Sequence, residues 1–181
     1  MKKKSVDIFK KKSGIMLDIG CGASKNKGFI GIDYHQYGDV DIVWNIEKTP
    51  WKVNGKIFPK ESVVLASSSH VLEHIDPHGG VFINVMNEIW RVLQPNSQFA
   101  FVTPYAGSHG YFQDPTHCNP INETTMGYFD PEHPSGLYQF YEPAPWNIEM
   151  LTYHKEGNIE CILRKRPDDK SYHADGKIHY V

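Results

Sequence analysis

Short apolar runs broken by glycine and proline dominate the first hundred residues. Ile15-Met16-Leu17 leads to Asp18, and Phe29-Ile30-Gly31-Ile32 leads to Asp33. Between them, Gly20-Cys21-Gly22-Ala23-Ser24 carries little side-chain bulk and predicts a tight turn. Val40–Trp44 predicts a third strand, followed by polar residues 45–50, and 51–61, with Gly55, Pro59 and mixed charge, reads as irregular. Ser62–Ser67 (SVVLAS) predicts a buried strand running directly into Ser68–Ile75. From Gly80 to Leu93 the apolar positions Val81, Phe82, Val85, Met86, Ile89, Val92 and Leu93 recur at helical spacing until Pro95. Phe99–Thr103 predicts another strand, and Ile148–His154 with Ile159–Arg164, around Glu156-Gly157-Asn158, predicts an antiparallel hairpin.

This periodicity fails between Pro104 and Asn147. The stretch holds seven of the chain's 12 prolines and nine of its 23 aromatics, and it contains no lysine or arginine. A long irregular segment within a compact domain usually covers an active site or binds something. One exception inside it is Asn122–Phe129, where Asn122 is placed to cap a short helix. The chain therefore divides into a basic lead-in at 1–13, one domain at 14–164 with 104–147 as substrate or lid loop, and a polar tail at 165–181.

Composition narrows the classes. With 181 residues, 40% apolar and 22% charged, the chain fits one globular domain, and a net charge of −2 gives no global attraction to nucleic acid or anionic membrane. Three cysteines without CxxC spacing argue against a disulfide framework, and no run is long enough to span a bilayer, so a cytoplasmic location is expected. The lysines of the lead-in keep nucleic acid open as a less favoured partner. Oligomeric state is not legible here.

Strand, glycine turn, crossover, strand and acid is how open α/β sheets build a nucleoside site at the carboxyl ends of their strands. The spacing separates two ligand classes. Only Ala23–Lys27 lie between Gly22 and Gly28, leaving a turn or two of helix at most. A dinucleotide's pyrophosphate wants a full helix N-terminus there. A sulfonium cofactor has no phosphate, and acids on both sides of the turn suit it better.

The segments LDIGCGASKNKGFIGID, VDIVWNIEKTPW, ASSSHVLEHI and MNEIWRVLQPNSQFAFVTP, in this order, resemble the class I S-adenosylmethionine (SAM)-dependent methyltransferases, and most of all the small type 11 family. The resemblance covers about residues 14–104, and the terminal hairpin suits that fold's last two strands. It implies an α/β, Rossmann-like, mostly parallel sheet with an antiparallel C-terminal hairpin in three α/β/α layers. It also implies SAM as cofactor. Asp18, Gly20, Cys21 and Gly22 would hold the methionine end, bordered by Ser67 and His70. Asp33, with Tyr34 beside it, would take the ribose hydroxyls, and Asn45 with Ile46 would meet the adenine. Asn45 stands where relatives often carry Asp, and Ser24 where many carry a third glycine.

In the loop, Gln113–Pro120 (QDPTHCNP) is similar to a segment that several type 11 relatives carry over the cofactor cleft. Asp114 and His117, three apart, suit a carboxylate-oriented general base, and Tyr105, His109 and Asn119 are expected at the acceptor. The acceptor is expected to be a small molecule or glycan. Other readings remain open: His109, Asp114, His117, Cys118 and His133 as a metal site, a structural Asp-Pro turn, and a binding protein of the same fold without turnover. His70-Val71-Leu72-Glu73-His74 also matches the HxxEH zinc-hydrolase pattern, which needs both histidines on one helical face. No metal is assigned from sequence.

Overall fold

A computed structural model describes residues 14–154 and 157–167; the lysine-rich lead-in, Lys155, Glu156 and residues 168–181 lie outside them. The strands of the main sheet are β1 (Ile15–Ile19), β2 (Ile30–Asp33), β3 (Ile42–Val43), β4 (Val63–Ser69), β5 (Leu93–Pro104), β6 (Trp146–Tyr153) and β7 (Asn158–Lys165). They lie in the order β3-β2-β1-β4-β5-β7-β6. The first five run parallel, and β7 pairs antiparallel with both β5 and β6. The expected Rossmann-like sheet with its C-terminal hairpin is formed.

The unbroken apolar runs of β1 and β2 follow from burial on both sheet faces: Leu17, Ile19 and Ile32 are fully buried. Strand order reverses between β1 and β4, and open α/β sheets bind ligands in the crevice at such a point. Asp18 of β1 stands there, opposite Gly31 on one side and Ser67 on the other.

Helix α1 (Val81–Val92) is the one long helix among the described residues. It buries Phe82, Val85, Met86, Ile89 and Val92 at the predicted spacing. The helical layers expected from the resemblance are thus thin. Trp51, Phe58, Ile121, Met126 and Phe129, from loops and 3-10 turns, complete the core. Among the described residues no helix is long and apolar enough to cross a membrane.

Four expectations are revised in detail. The third strand shrinks to two residues. Residues 51–61 are not irregular throughout: Lys52–Val53 and Lys56–Ile57 pair as a small hairpin, because Asn54 (φ 51°) and Gly55 (φ 79°) supply the two positive φ values of a tight turn. The helix expected at Asn122–Phe129 is a 3-10 turn, Thr125–Tyr128, and Asn122 Oδ1 does accept from the amides of Thr124 and Thr125. Strand β7 runs on to Lys165, placed in the tail by sequence. Lys165 is buried because its ammonium donates to Leu93 O at 2.7 Å and sits 3.9 Å above the Trp90 ring.

The small hairpin is fastened to α1 by a buried carboxylate. Glu88 accepts from Trp51 N at 2.7 Å and from Arg91 Nε and Nη2 at 2.7 Å, while Arg91 also donates to Phe58 O. Glu88→Ala leaves the buried Trp51 amide without an acceptor and the Arg91 guanidinium without its counter-charge, with only the Phe58 carbonyl remaining, and should cost about 3–5 kcal/mol. Glu88→Gln keeps an acceptor for Trp51 and should cost less. Urea denaturation midpoints of the two variants against the wild type check the ranking.

Candidate functional site

At the switch point the glycine turn leaves β1 without entering a helix. Gly20 (φ 66°) and Gly22 (φ 53°) are both left-handed, and Gly20 N donates to Ile32 O at 2.8 Å. A side chain at Gly20 would meet Val71 Cγ2 at 2.2 Å, whereas at Gly22 it would meet nothing within 4 Å. Gly20 is therefore required by packing, and Gly22 leaves backbone open to a ligand.

Two carboxylates hold the turn. Asp18, 5% exposed, accepts from Asn26 N at 2.7 Å through Oδ2, and from the Ser67 hydroxyl at 3.4 Å through Oδ1. Asp33, half-buried at the end of β2, accepts from Gly22 N (Oδ2) and His35 N (Oδ1), both at 2.9 Å. Each Asp33 oxygen keeps a lone pair for a further donor. Cys21 lies buried between these acids. Its thiol is pushed up to about 11, first by burial and then by the Asp18 and Asp33 charges, so it stays neutral near pH 7.

A cleft of about 860 Å³ opens beside the turn, within the usual size range for small-molecule sites. Six of the ten expected cofactor residues line it: Gly20, Asp33, Tyr34, Asn45, Ile46 and His70. Asp18, Cys21, Gly22 and Ser67 do not line it; Asp18 and Ser67 brace the turn, and Gly22 lies open beside it. Asn45 Oδ1 already accepts from Glu47 N at 2.9 Å, which fixes the amide in place. His70 holds a left-handed backbone (φ 54°), a costly conformation for a non-glycine, with its amide on Val102 O at 2.9 Å.

Tyr37, Glu47, His74 and Thr116 also line the cleft, and sequence reasoning did not place them there. His74 was visible only as part of the HxxEH pattern. That pattern does not form its helix: Leu72–His74 is a three-residue 3-10 turn and His70 lies outside it. The two histidines therefore do not share a helical face, and the geometry of the zinc-hydrolase reading is absent.

The long loop reaches the cleft at Thr116. It is pinned to the segment after β4, since Cys118 N and Asn119 N both donate to Glu73 O at 2.9 Å and Asn119 Nδ2 donates to Leu72 O at 2.9 Å. Asn119, expected at the acceptor, is buried and serves as this pin. Tyr105 packs on Tyr153 at 4.8 Å and His109 is exposed on a four-residue helix, and neither lines the cleft. Asp114 does not orient His117, because its Oδ2 lies 3.9 Å from Nε2, beyond hydrogen-bond reach. The carbonyl of Tyr111 orients that ring instead, 2.7 Å from Nδ1. Asp114 accepts from the Thr116 hydroxyl at 2.7 Å and the Thr116 amide at 2.8 Å, which hold its carboxyl below the usual range. Thr116 Oγ1 in turn lies 3.0 Å from His74 Nδ1. The expected pair is thus a chain, Asp114–Thr116–His74, with His117 beside it at a ring-centre distance of 4.7 Å.

Solved structures supply the comparison. A SAM-dependent methyltransferase from Archaeoglobus fulgidus superposes with a TM-score of 0.59 at 16% identity, over 84% of this chain and 86% of that one. Another from Methanosarcina mazei gives 0.55 at 16% identity, over 86% and 93%. The [4+2]-cyclase SpnF gives 0.56 at 13% identity, over 84% and 74%. No family model and no curated protein matches the sequence. The chain has the fold of the class I SAM-dependent methyltransferases.

Gly20→Ala combines a left-handed φ with a clash of the new Cβ against the Val71 side chain, and Gly22→Ala has only the first. The expected costs are about 1 kcal/mol for Gly22→Ala and at least about twice that for Gly20→Ala. Thermal unfolding of both variants checks this.

Proposed function

We propose that the chain is a SAM-dependent methyltransferase acting on a small-molecule or glycan acceptor. The observation that carries this reading is the Asp33 carboxylate, fixed by Gly22 N and His35 N at the lip of a cleft whose glycine turn enters no helix. A pyrophosphate would find no helix N-terminus after β1, and it would face Asp18 and Asp33. A sulfonium-bearing nucleoside fits the same donor set: a carboxylate with free lone pairs for a ribose diol, open backbone at Gly22, and acids nearby to favour positive charge.

When bound, the cofactor supplies an electrophilic methyl group. The residues of this chain bind and orient. Asp33 accepts from the ribose, Tyr34, Asn45 and Ile46 border the base, and His70 borders the methionine end. His74, at the cleft wall, faces the acceptor and activates it, oriented by Asp114 through Thr116, and His117, held by the Tyr111 carbonyl, packs against the His74 ring and serves as a second base. The loop from 104 to 147 lacks lysine and arginine, which favours an acceptor other than nucleic acid.

A second reading, binding of the cofactor without methyl transfer, is favoured by the likeness to a cyclase, since the fold does not by itself entail the reaction.

Calorimetric titration with SAM and S-adenosylhomocysteine should show one site, and Asp33→Ala should weaken it about 10- to 100-fold, the worth of a charge-assisted hydrogen bond. Absence of heat with either ligand overturns the reading. Conversion of SAM to S-adenosylhomocysteine with an acceptor pool separates enzyme from binding protein. His117→Ala should lower that turnover while leaving SAM affinity nearly unchanged, and a wild-type rate would remove its role.

A further inference from the structure

The geometry points to a binding site for a first-row divalent cation formed by Glu73, His74 and His117. A nitrogen of each imidazole and an oxygen of Glu73 lie within 4.8 Å of one another. Among the described residues no other such cluster occurs, and of the five loop residues weighed as metal ligands from sequence only His117 belongs to it.

The hydrogen bonds decide what each residue can offer. A carbonyl only accepts, so the contact to Tyr111 O places the His117 proton on Nδ1 and leaves a lone pair on Nε2. The Thr116 hydroxyl gives its one proton to Asp114, so it accepts from His74 Nδ1–H, and His74 Nε2 is likewise left with a lone pair. This arrangement, with the second ring nitrogen tied to a carbonyl or a carboxylate-backed group, is how metal-binding histidines are fixed and made more basic.

Glu73 is the independent sign. It is fully buried, and Oε2 accepts from the Thr103 hydroxyl at 2.9 Å. Oε1 has no hydrogen-bond partner, and the His70 ring nitrogen Nδ1 lies 3.4 Å from it without making one. A buried carboxylate oxygen without a hydrogen bond is expensive unless a cation meets it. Two imidazoles and one carboxylate suit zinc, manganese, iron(II) or cobalt, and leave coordination positions open. Zinc–nitrogen bonds of about 2.0–2.1 Å require the donors to draw in by on the order of 1 Å, and His74, exposed at the cleft wall, has room to turn. The open positions would take an oxygen of the acceptor. That use rests on the methyltransferase reading above; the site itself does not.

The full chain, stripped with chelator, is titrated by calorimetry with Zn²⁺, Mn²⁺ and Co²⁺ in turn, without SAM. The expected result is one ion per chain at micromolar affinity or tighter for at least one metal. His74→Ala and His117→Ala should each weaken it at least 100-fold, and Thr116→Val about 10-fold through loss of orientation. His78→Ala, an exposed histidine outside the cluster, should bind as wild type. Glu73→Gln is judged alongside its thermal unfolding, with bound Co²⁺ absorption as the readout if it folds. Only millimolar binding, or wild-type affinity in both His74→Ala and His117→Ala, overturns the site. SAM titration without cation is a separate measurement: cation binding without SAM binding keeps the site and removes its acceptor role, and SAM binding without cation binding overturns the site and leaves the methyltransferase reading standing.

Discussion

Asp18 sits one residue before the end of the central strand, buried, with both oxygens occupied by groups from different parts of the chain. Asn26 N ties the far end of the glycine turn to it, and Ser67 ties it to β4 across the switch point. Because the carboxylate is out of water, each of these bonds matters more than on the surface, and losing one leaves an unsatisfied charge. The turn is thereby closed without a helix. Gly22 then lies where Asp33 can take its amide, so the lip of the cleft depends on Asp18 although Asp18 does not line it.

The second half of the cleft is built by a comparable device. The backbone carbonyl of Glu73 accepts two consecutive loop amides, and the side chain of Asn119 adds a third bond on Leu72. A long segment rich in proline loses less entropy on ordering than a flexible one, and these three bonds set its register against the segment after β4. Thr116 and His117 arrive beside His74 as a result. One buried carboxylate thus orders the side that we assign to the nucleoside, and one short backbone segment orders the side that we assign to the acceptor.

Much of this was legible from residue pattern. The apolar runs ending in Asp18 and Asp33, the spacing of Val81–Val92 and the terminal hairpin all depend on local chemistry that a linear reading sees. The Asn54-Gly55 hairpin was equally local and was passed over, because the mixed charges around it masked a turn signal. Lys165 was misplaced for a different reason: a lysine reads as polar until the Leu93 carbonyl and the Trp90 ring that receive it are known.

By itself the sequence determined the open α/β sheet and the helix-free glycine turn, since each follows from periodicity or from the number of residues between two glycines, whereas Asn45, Ile46 and His70 were expected at the cleft only from the family resemblance. Tertiary structure alone decided how the histidines are used. His74 and His117 are 43 positions apart, and Asp114 appeared to serve the nearer of the two. Only the folded loop shows Thr116 carrying Asp114 to His74, the Tyr111 carbonyl holding His117, and the buried Glu73 oxygen beside them. Hydrogen bonds between distant segments have no period, so no pattern along the chain records them.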